Sequence, residues 1–195
     1  MLVRRSLIVL MLVSLSAPLV AGAPVNLVTN PHFDQDLSGW QLRAGDQPIW
    51  TSFDFAGNPA SGSVFTANTL AASGTAEIVL TQCIPLPSIG DYFFSTAGYA
   101  ASGQSTGELY VSLILHPGPQ TDCSNGAVFI SSMQIRAFDE WRSVSRTMNV
   151  QALPATAEIW LRPEKDVTNG SFAGYFDNIL LSNDAILLEG FEPRG

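Results

Sequence analysis

The sequence predicts an all-β protein, a two-sheet antiparallel β-sandwich or jelly roll. Three observations carry that expectation. Apolar and polar residues alternate with a period of two in one segment after another, turn-forming clusters separate those segments, and no stretch holds a helical apolar period for ten residues. The composition agrees. With 46% hydrophobic and 13% charged residues, 16 Gly and 12 Pro, the chain suits a turn-rich sandwich better than a helical bundle.

The first 23 residues read as a leader rather than part of the fold. Arg4 and Arg5 form a basic start, residues 7–15 are almost entirely Leu, Ile, Val and Met, and Ala21-Gly22-Ala23 offers small residues for cleavage. The apolar run is short for a bilayer span; an uncleaved N-terminal anchor is the alternative. Export to the extracellular space or periplasm is the expectation. Loss of the leader removes two arginines and no acid, so the net charge goes from −8 to −10, with seven Lys and Arg against 17 Asp and Glu. That charge argues against nucleic acid, and against an anionic membrane surface after cleavage. Residues 24–184 make one domain of ordinary size, and residues 185–195 a short C-terminal tail.

Nine strands are expected in order: Gln47–Phe53, Val64–Thr69, Ala76–Cys83, Tyr92–Tyr99, Glu108–Leu115, Val128–Ile135, Trp141–Val150, Thr156–Arg162 and Phe172–Leu181. In the third, Ile78 and Leu80 face one way and Glu77, Val79 and Thr81 the other. In the fifth, Leu109, Val111, Leu113 and Leu115 oppose Glu108, Tyr110 and Ser112. In the eighth, Ile159 and Leu161 oppose Glu158, Trp160 and Arg162. Turn clusters fall between them, among them Gly57-Asn58-Pro59, Ser102-Gly103 and Asn169-Gly170.

Cys83 and Cys123 are the only cysteines. An even count in an exported chain reads as a disulfide, the alternative being two buried thiols. Closing that loop contributes about 4 kcal/mol on the chain-entropy account.

Nothing marks a catalytic centre. His32 and His116 each neighbour a proline, in what reads as a turn, and neither lies in a nucleophile or metal motif. Paired carboxylates could in principle form a glycosidase site, but 17 acids make chance pairs common. The expectation is a binding protein and not an enzyme.

Two terminal motifs add to this. Asn26-Leu27-Val28-Thr29-Asn30-Pro31-His32-Phe33-Asp34, followed by Leu37-Ser38-Gly39-Trp40, resembles the opening of CenC-type carbohydrate-binding modules, which runs Asn-Leu, Asn-Gly-x-Phe-Glu, then Gly-Trp. Gly174-Tyr175-Phe176-Asp177-Asn178-Ile179-Leu180-Leu181 resembles their closing strand, and Trp141 stands where they place a tryptophan at the start of a late strand. Pro31 and Asp34 depart from the pattern. The resemblance spans the mature chain and implies a jelly roll that binds glycans. It also implies a structural calcium held by Asp34 and Asp177 where the first and last strands meet; otherwise these are solvated or capping aspartates. Phe33 and Trp40 are expected in the core.

Sugar sites combine flat aromatic faces with hydrogen-bonding neighbours. Trp160, between Glu158 and Arg162 on a wet strand face, is the first candidate platform. Tyr110 is the second and Trp50, between Pro48 and Ser52 on its strand face, the third. Each has the alternative of covering an outer sheet edge or packing under a loop. The expected partner is a cell-wall or soluble carbohydrate. The competing classes are a structural or adhesion sandwich working through protein contacts, and a glycoside-processing enzyme.

Overall fold

The computed structural model describes residues 25–43, 48–70, 75–103, 106–119, 121–136 and 138–183. The expected leader and the whole of the expected C-terminal tail lie outside the described residues. Within them the chain is all-β. Two antiparallel sheets form a sandwich from strands β1 (Gln41–Leu42), β2 (Ile49–Thr51), β3 (Ser63–Asn68), β4 (Thr75–Ala76), β5 (Leu80–Pro85), β6 (Gly90–Ala100), β7 (Glu108–Pro117), β8 (Phe129–Ile135), β9 (Arg142–Val150), β10 (Ala155–Lys165) and β11 (Phe172–Ser182). One sheet, here sheet A, runs β1-β5-β10-β7-β8 with β4 also paired to β10; sheet B runs β2-β3-β11-β6-β9. Sequence neighbours mostly lie apart, so the strand order could not be read from local pattern.

The core follows the alternation. Leu109, Val111, Leu113, Ile159 and Leu161 of sheet A meet Val64, Tyr92, Phe94, Phe172, Phe176 and Leu181 of sheet B, all buried. Phe33 and Trp40 join them, with ring centroids 5.5 Å apart. The N-terminal segment docks on the last strand. Leu27 donates its N–H to the Leu181 carbonyl, Ile179 donates to Pro31, and the Asn26 side chain bridges Val28 and Leu181. The N-terminal segment, not itself a strand, therefore meets the closing strand β11, while the first strand β1 lies in the other sheet.

Two departures from simple alternation have a common cause. Between Ala76, opposite Glu164, and Leu80, opposite Leu161, the β4–β5 side carries one residue more than β10. This bulge turns Val79 inward, and Val79 and Leu80 are both fully buried, where alternation placed Val79 outward. A second bulge in β11 lies between Asp177 and Leu180, with Asn178 at φ 51°. It lets Phe176 and Ile179 both point into the core.

At Gly98 and Gly174 side chains of sheet A pack close against the backbone of sheet B. A Cβ at Gly98 would stand 2.7 Å from Ile135 Cδ1, and one at Gly174 3.0 Å from Leu109 and 2.7 Å from the Tyr99 carbonyl. Leu109 and Ile135 of sheet A fill the space these glycines leave. Each glycine precedes a tyrosine, Tyr99 or Tyr175, which alternation sends to the opposite face. Cys83 and Cys123 are joined, tying β5 to the segment after β7 with Cα atoms 5.8 Å apart.

Candidate functional site

Two outward faces carry the side chains that matter. The outward face of sheet A gathers four of the residues singled out from sequence. Glu158, Trp160 and Arg162 alternate along β10, and Tyr110 of β7 lies directly across from Arg162. Trp160 is flanked across the strands by Thr81 and Ser112. It is half-buried, and its indole Nε1 is fully covered without an acceptor among the described residues.

This face is less wet than the pattern suggested. Glu158 is buried at 5% exposure, taking Arg43 on Oε1 at 3.0 Å with His116 Nε2 3.2 Å from Oε2. His116 is not in a turn: it lies in β7, buried, with Nδ1 2.6 Å from the Asn125 carbonyl. The flanking Pro117 is the last residue of the same strand, so the proline marked an end and not a loop. Across the face, Glu108 receives Arg136 and the Tyr110 hydroxyl. Burial alone would raise the Glu108 carboxyl, but these donors outweigh it and hold it below the ordinary glutamate value.

Trp50 belongs elsewhere. It sits in β2 of sheet B, where its register partner Val64 is fully buried. Its indole packs toward the core and donates to the Phe33 carbonyl at 2.6 Å. Its strand-face neighbours Pro48 and Ser52, neither a large apolar residue, hid that orientation.

The outward face of sheet B is aromatic. Register partners Ile49, Phe65, Tyr175 and Tyr99 form a row across β2, β3, β11 and β6. Trp141, immediately before β9, extends it, since Arg142 pairs with Gly98. The row crosses five strands, roughly 19 Å at the ordinary strand spacing. Phe53, in the loop after β2, folds over its centre, with ring centroids 4.9 Å from Tyr175, 5.0 Å from Tyr99 and 5.2 Å from Trp141. Phe53 and Trp141 are stacked within 27°, and Phe53 remains 41% exposed. Tyr99, Trp141, Tyr175 and Phe65 are half-buried. Of these residues the sequence motifs had named Trp141 and Tyr175, both from the resemblance and neither as a ligand contact. A usable signal was the repeated Gly-Tyr pair at 98–99 and 174–175, each a missing core side chain beside an outward ring.

The loop that carries Phe53 also closes a cavity of about 220 Å³ beside the row. Its lining includes both predicted calcium ligands, Asp34 and Asp177, together with Asp54, His32 and Phe55. Asp177 is 1% exposed and accepts the backbone N–H of Phe55 at 2.9 Å and of Asn178 at 2.6 Å. Burial, helped by Asp54 and Asp34, pushes its carboxyl up to about 7 against those hydrogen bonds. Asp54 accepts Asn58 N–H and the Ser61 hydroxyl, which fixes the loop. Among the described residues, no three His, Cys, Asp or Glu side chains are grouped as a metal site. A cation there would rest on two carboxylates and backbone or solvent oxygens.

No protein-family model and no curated protein matches the sequence. Solved structures do. TmCBM61 in complex with β-1,4-galactotriose superposes with a TM-score of 0.54 at 15% identity, covering 82% of this chain and 99% of that one. A family 16 carbohydrate-binding module gives 0.55 at 16% identity, with coverage of 80% and 99%. The enzymatically active domain of bacteriophage CBA120 tailspike protein 4 gives 0.58 at 18% identity over 80% of this chain, which spans only 21% of that one. At these identities the likeness is one of fold: the chain has the jelly-roll architecture of carbohydrate-binding modules.

Proposed function

We propose that the chain is an exported, non-catalytic module that holds an oligosaccharide or polysaccharide across the aromatic row of sheet B. The row itself carries the reading. Pyranose rings present C–H faces that stack on aromatic rings, while Tyr and Trp contribute polar tips at the same surface. Phe53 and Trp141 offer a stacked pair, Phe53 exposed and Trp141 half-buried, with Tyr99 and Tyr175 packed against them. Ile49, Phe65, Tyr175, Tyr99 and Trp141 are all uncharged, which suits a neutral glycan. The fold neighbours support the class of ligand and leave its identity open.

The same reading assigns a structural calcium to Asp34 and Asp177. A buried carboxylate with no basic partner at hydrogen-bond distance is destabilised as an anion, and a hard cation with oxygen ligands relieves that. Calcium there would rigidify the Phe53–Ser61 loop through the Phe55 N–H bond to Asp177.

The test is titration of mature protein with neutral β-1,4-linked galacto- and xylo-oligosaccharides, backed by a glycan array and read by calorimetry and tryptophan fluorescence. Binding that Trp141→Ala and Phe53→Ala both weaken supports the proposal. Binding untouched by both, or no glycan bound on the array, overturns it.

A second reading rests on β8, an edge strand that exposes Phe129 at 44% and Ile130 at 60%, preceded by Val128 at 63%. An exposed apolar edge is a template for pairing with another chain. Protein contact through this edge would survive loss of the aromatic row.

A further inference from the structure

The outward face of sheet A plays no part in that function, yet it holds a cation without a counter-ion. Arg162 is half-buried at the centre of the face. Its Nη2 donates to Ser112 Oγ at 2.9 Å and Ser132 Oγ at 3.3 Å, two hydroxyls themselves 2.7 Å apart on neighbouring strands. Its guanidinium carbon lies 5.4 Å from the Tyr110 ring centroid. Its Nε is covered with no acceptor. Among the described residues no carboxylate comes within ion-pair distance of it, and Nη1 is left without a protein acceptor.

Two of the acids around it are otherwise engaged. Glu158 is held by Arg43 and His116, and Glu108 by Arg136. Glu164, two residues along β10, attracts Arg162 through space without touching it, and its own carboxyl is raised by burial and by Glu108. Burial likewise lowers the Arg162 proton affinity. A guanidinium taken partly out of water without an anion is costly, and one fixed by two hydroxyls and a ring has already lost its rotamer freedom. Trp160, on the same face of the same strand, places an indole beside it.

We propose that this face is a second binding site, one that takes a sugar bearing an oxyanion substituent, a uronate carboxylate or a sulfate ester. Nη1 of Arg162 receives the anion, and Trp160 and Tyr110 flank the sugar ring. Arginine suits this role because its charge persists at every physiological pH and its planar donors match an oxyanion. The site lies on the opposite sheet from the aromatic row, so the two are separable.

The experiment compares matched pairs by calorimetry at low salt. Oligogalacturonate and oligomannuronate are each set against their carboxyl-reduced forms, and a sulfated galactan oligosaccharide against its desulfated form. At least one acidic member is expected to bind tenfold or more tightly than its neutral partner. That excess should shrink as salt rises from 0.05 to 0.5 M. Arg162→Gln should bring the ratio near one, while Arg162→Lys should keep part of it; melting curves verify that both variants fold. The excess should persist in Tyr99→Ala, which alters only the aromatic row. The uronate and sulfate pairs tell which substituent is read. Equal binding within every pair, an excess that survives Arg162→Gln, or one lost in Tyr99→Ala overturns the proposal. Neutral binding that depends on Trp141, with no acidic preference, would leave the aromatic-row function standing and this site refuted.

Discussion

Tyr99 and Tyr175 stand directly across from each other on β6 and β11, their ring centroids 5.9 Å apart and inclined at 71°. Each follows a glycine whose missing side chain admits the opposite sheet. Close packing on the inner face and a continuous ring surface on the outer face thus share one cause. The register that brings Gly98 near Leu109 and Ile135 also aligns Tyr99 with Tyr175.

Removing one of these rings should therefore harm ligand binding more than folding. Tyr99→Ala is expected to weaken oligosaccharide binding by about 1–3 kcal/mol, the scale of truncating an aromatic anchor. Tyr99→Phe keeps the ring and should cost about 1 kcal/mol, that of a hydrogen bond. Calorimetric titration of the two variants checks the order. Equal losses would mean the hydroxyl and not the ring face carries the contact.

The glycines make a sharper structural prediction. Gly174→Ala brings its Cβ to 2.7 Å from the Tyr99 carbonyl, a backbone atom that cannot swing aside. Gly98→Ala meets the end of the Ile135 side chain, which can rotate. Overpacking costs typically about 1–3 kcal/mol, so Gly174→Ala should lie at or above the upper end and Gly98→Ala at the lower. Denaturant unfolding measures both. The reverse order would mean that the β6–β11 backbone shifts apart more readily than the Ile135 and Leu109 side chains repack.

Much of this fold was legible because burial writes itself at period two. Leu109, Val111, Leu113, Ile159 and Leu161 announced an inner face, and all are buried. Val79 escaped because one extra residue opposite β10 reverses the alternation, and a bulge leaves no mark in hydropathy. The sites were harder for a different reason. Trp160, Arg162 and Glu158 could be placed on one face from their spacing within a single strand. Phe65, Tyr175 and Tyr99 become a surface only when strands distant in sequence are paired, and nothing local fixes that order. His116 and Glu158 show the same limit: a buried polar contact joining β7 and β10 is invisible until the strands are neighbours.

The disulfide between Cys83 and Cys123 invites a direct check. The chain has no Lys or Arg between Arg43 and Arg136, so trypsin leaves both cysteines in one peptide. Cleavage after glutamate separates them at Glu108, and a non-reduced digest should then show the two fragments as one linked species. Reduction should lower stability by about 2–4 kcal/mol. The segment after β7 should stay in place, because Asn125 remains bonded to His116. Two fragments alkylated without prior reduction would refute the bridge.

With calcium held by Asp34 and Asp177 as proposed, Asp177 would tie stability to both pH and calcium. Its carboxyl is raised from 3.8 to about 7 in the folded protein, first by burial and then by Asp54 and Asp34. A group whose folded value exceeds its unfolded one binds its proton more tightly in the native state. Its contribution is therefore complete below about pH 3.8 and is lost as pH climbs through about 7. In chelator, this residue should lower stability across that window by on the order of 3–4 kcal/mol. Calcium bound by Asp34 and Asp177 reverses the preference, because the cation favours the ionised carboxylate. Millimolar calcium should raise the melting temperature at pH 7–8 and flatten the pH slope, by mass action on the folded state alone. Asp177→Asn loses one of the two N–H acceptor bonds and should be less stable at acid pH, so the slope and not the absolute stability is the readout. That variant should show a shallower slope in chelator and little response to calcium. Melting curves from pH 4 to 8, with calcium and with chelator, decide it. An identical slope in wild type and Asp177→Asn would remove Asp177 from the pH dependence, and a calcium response that survives the substitution would place the cation elsewhere.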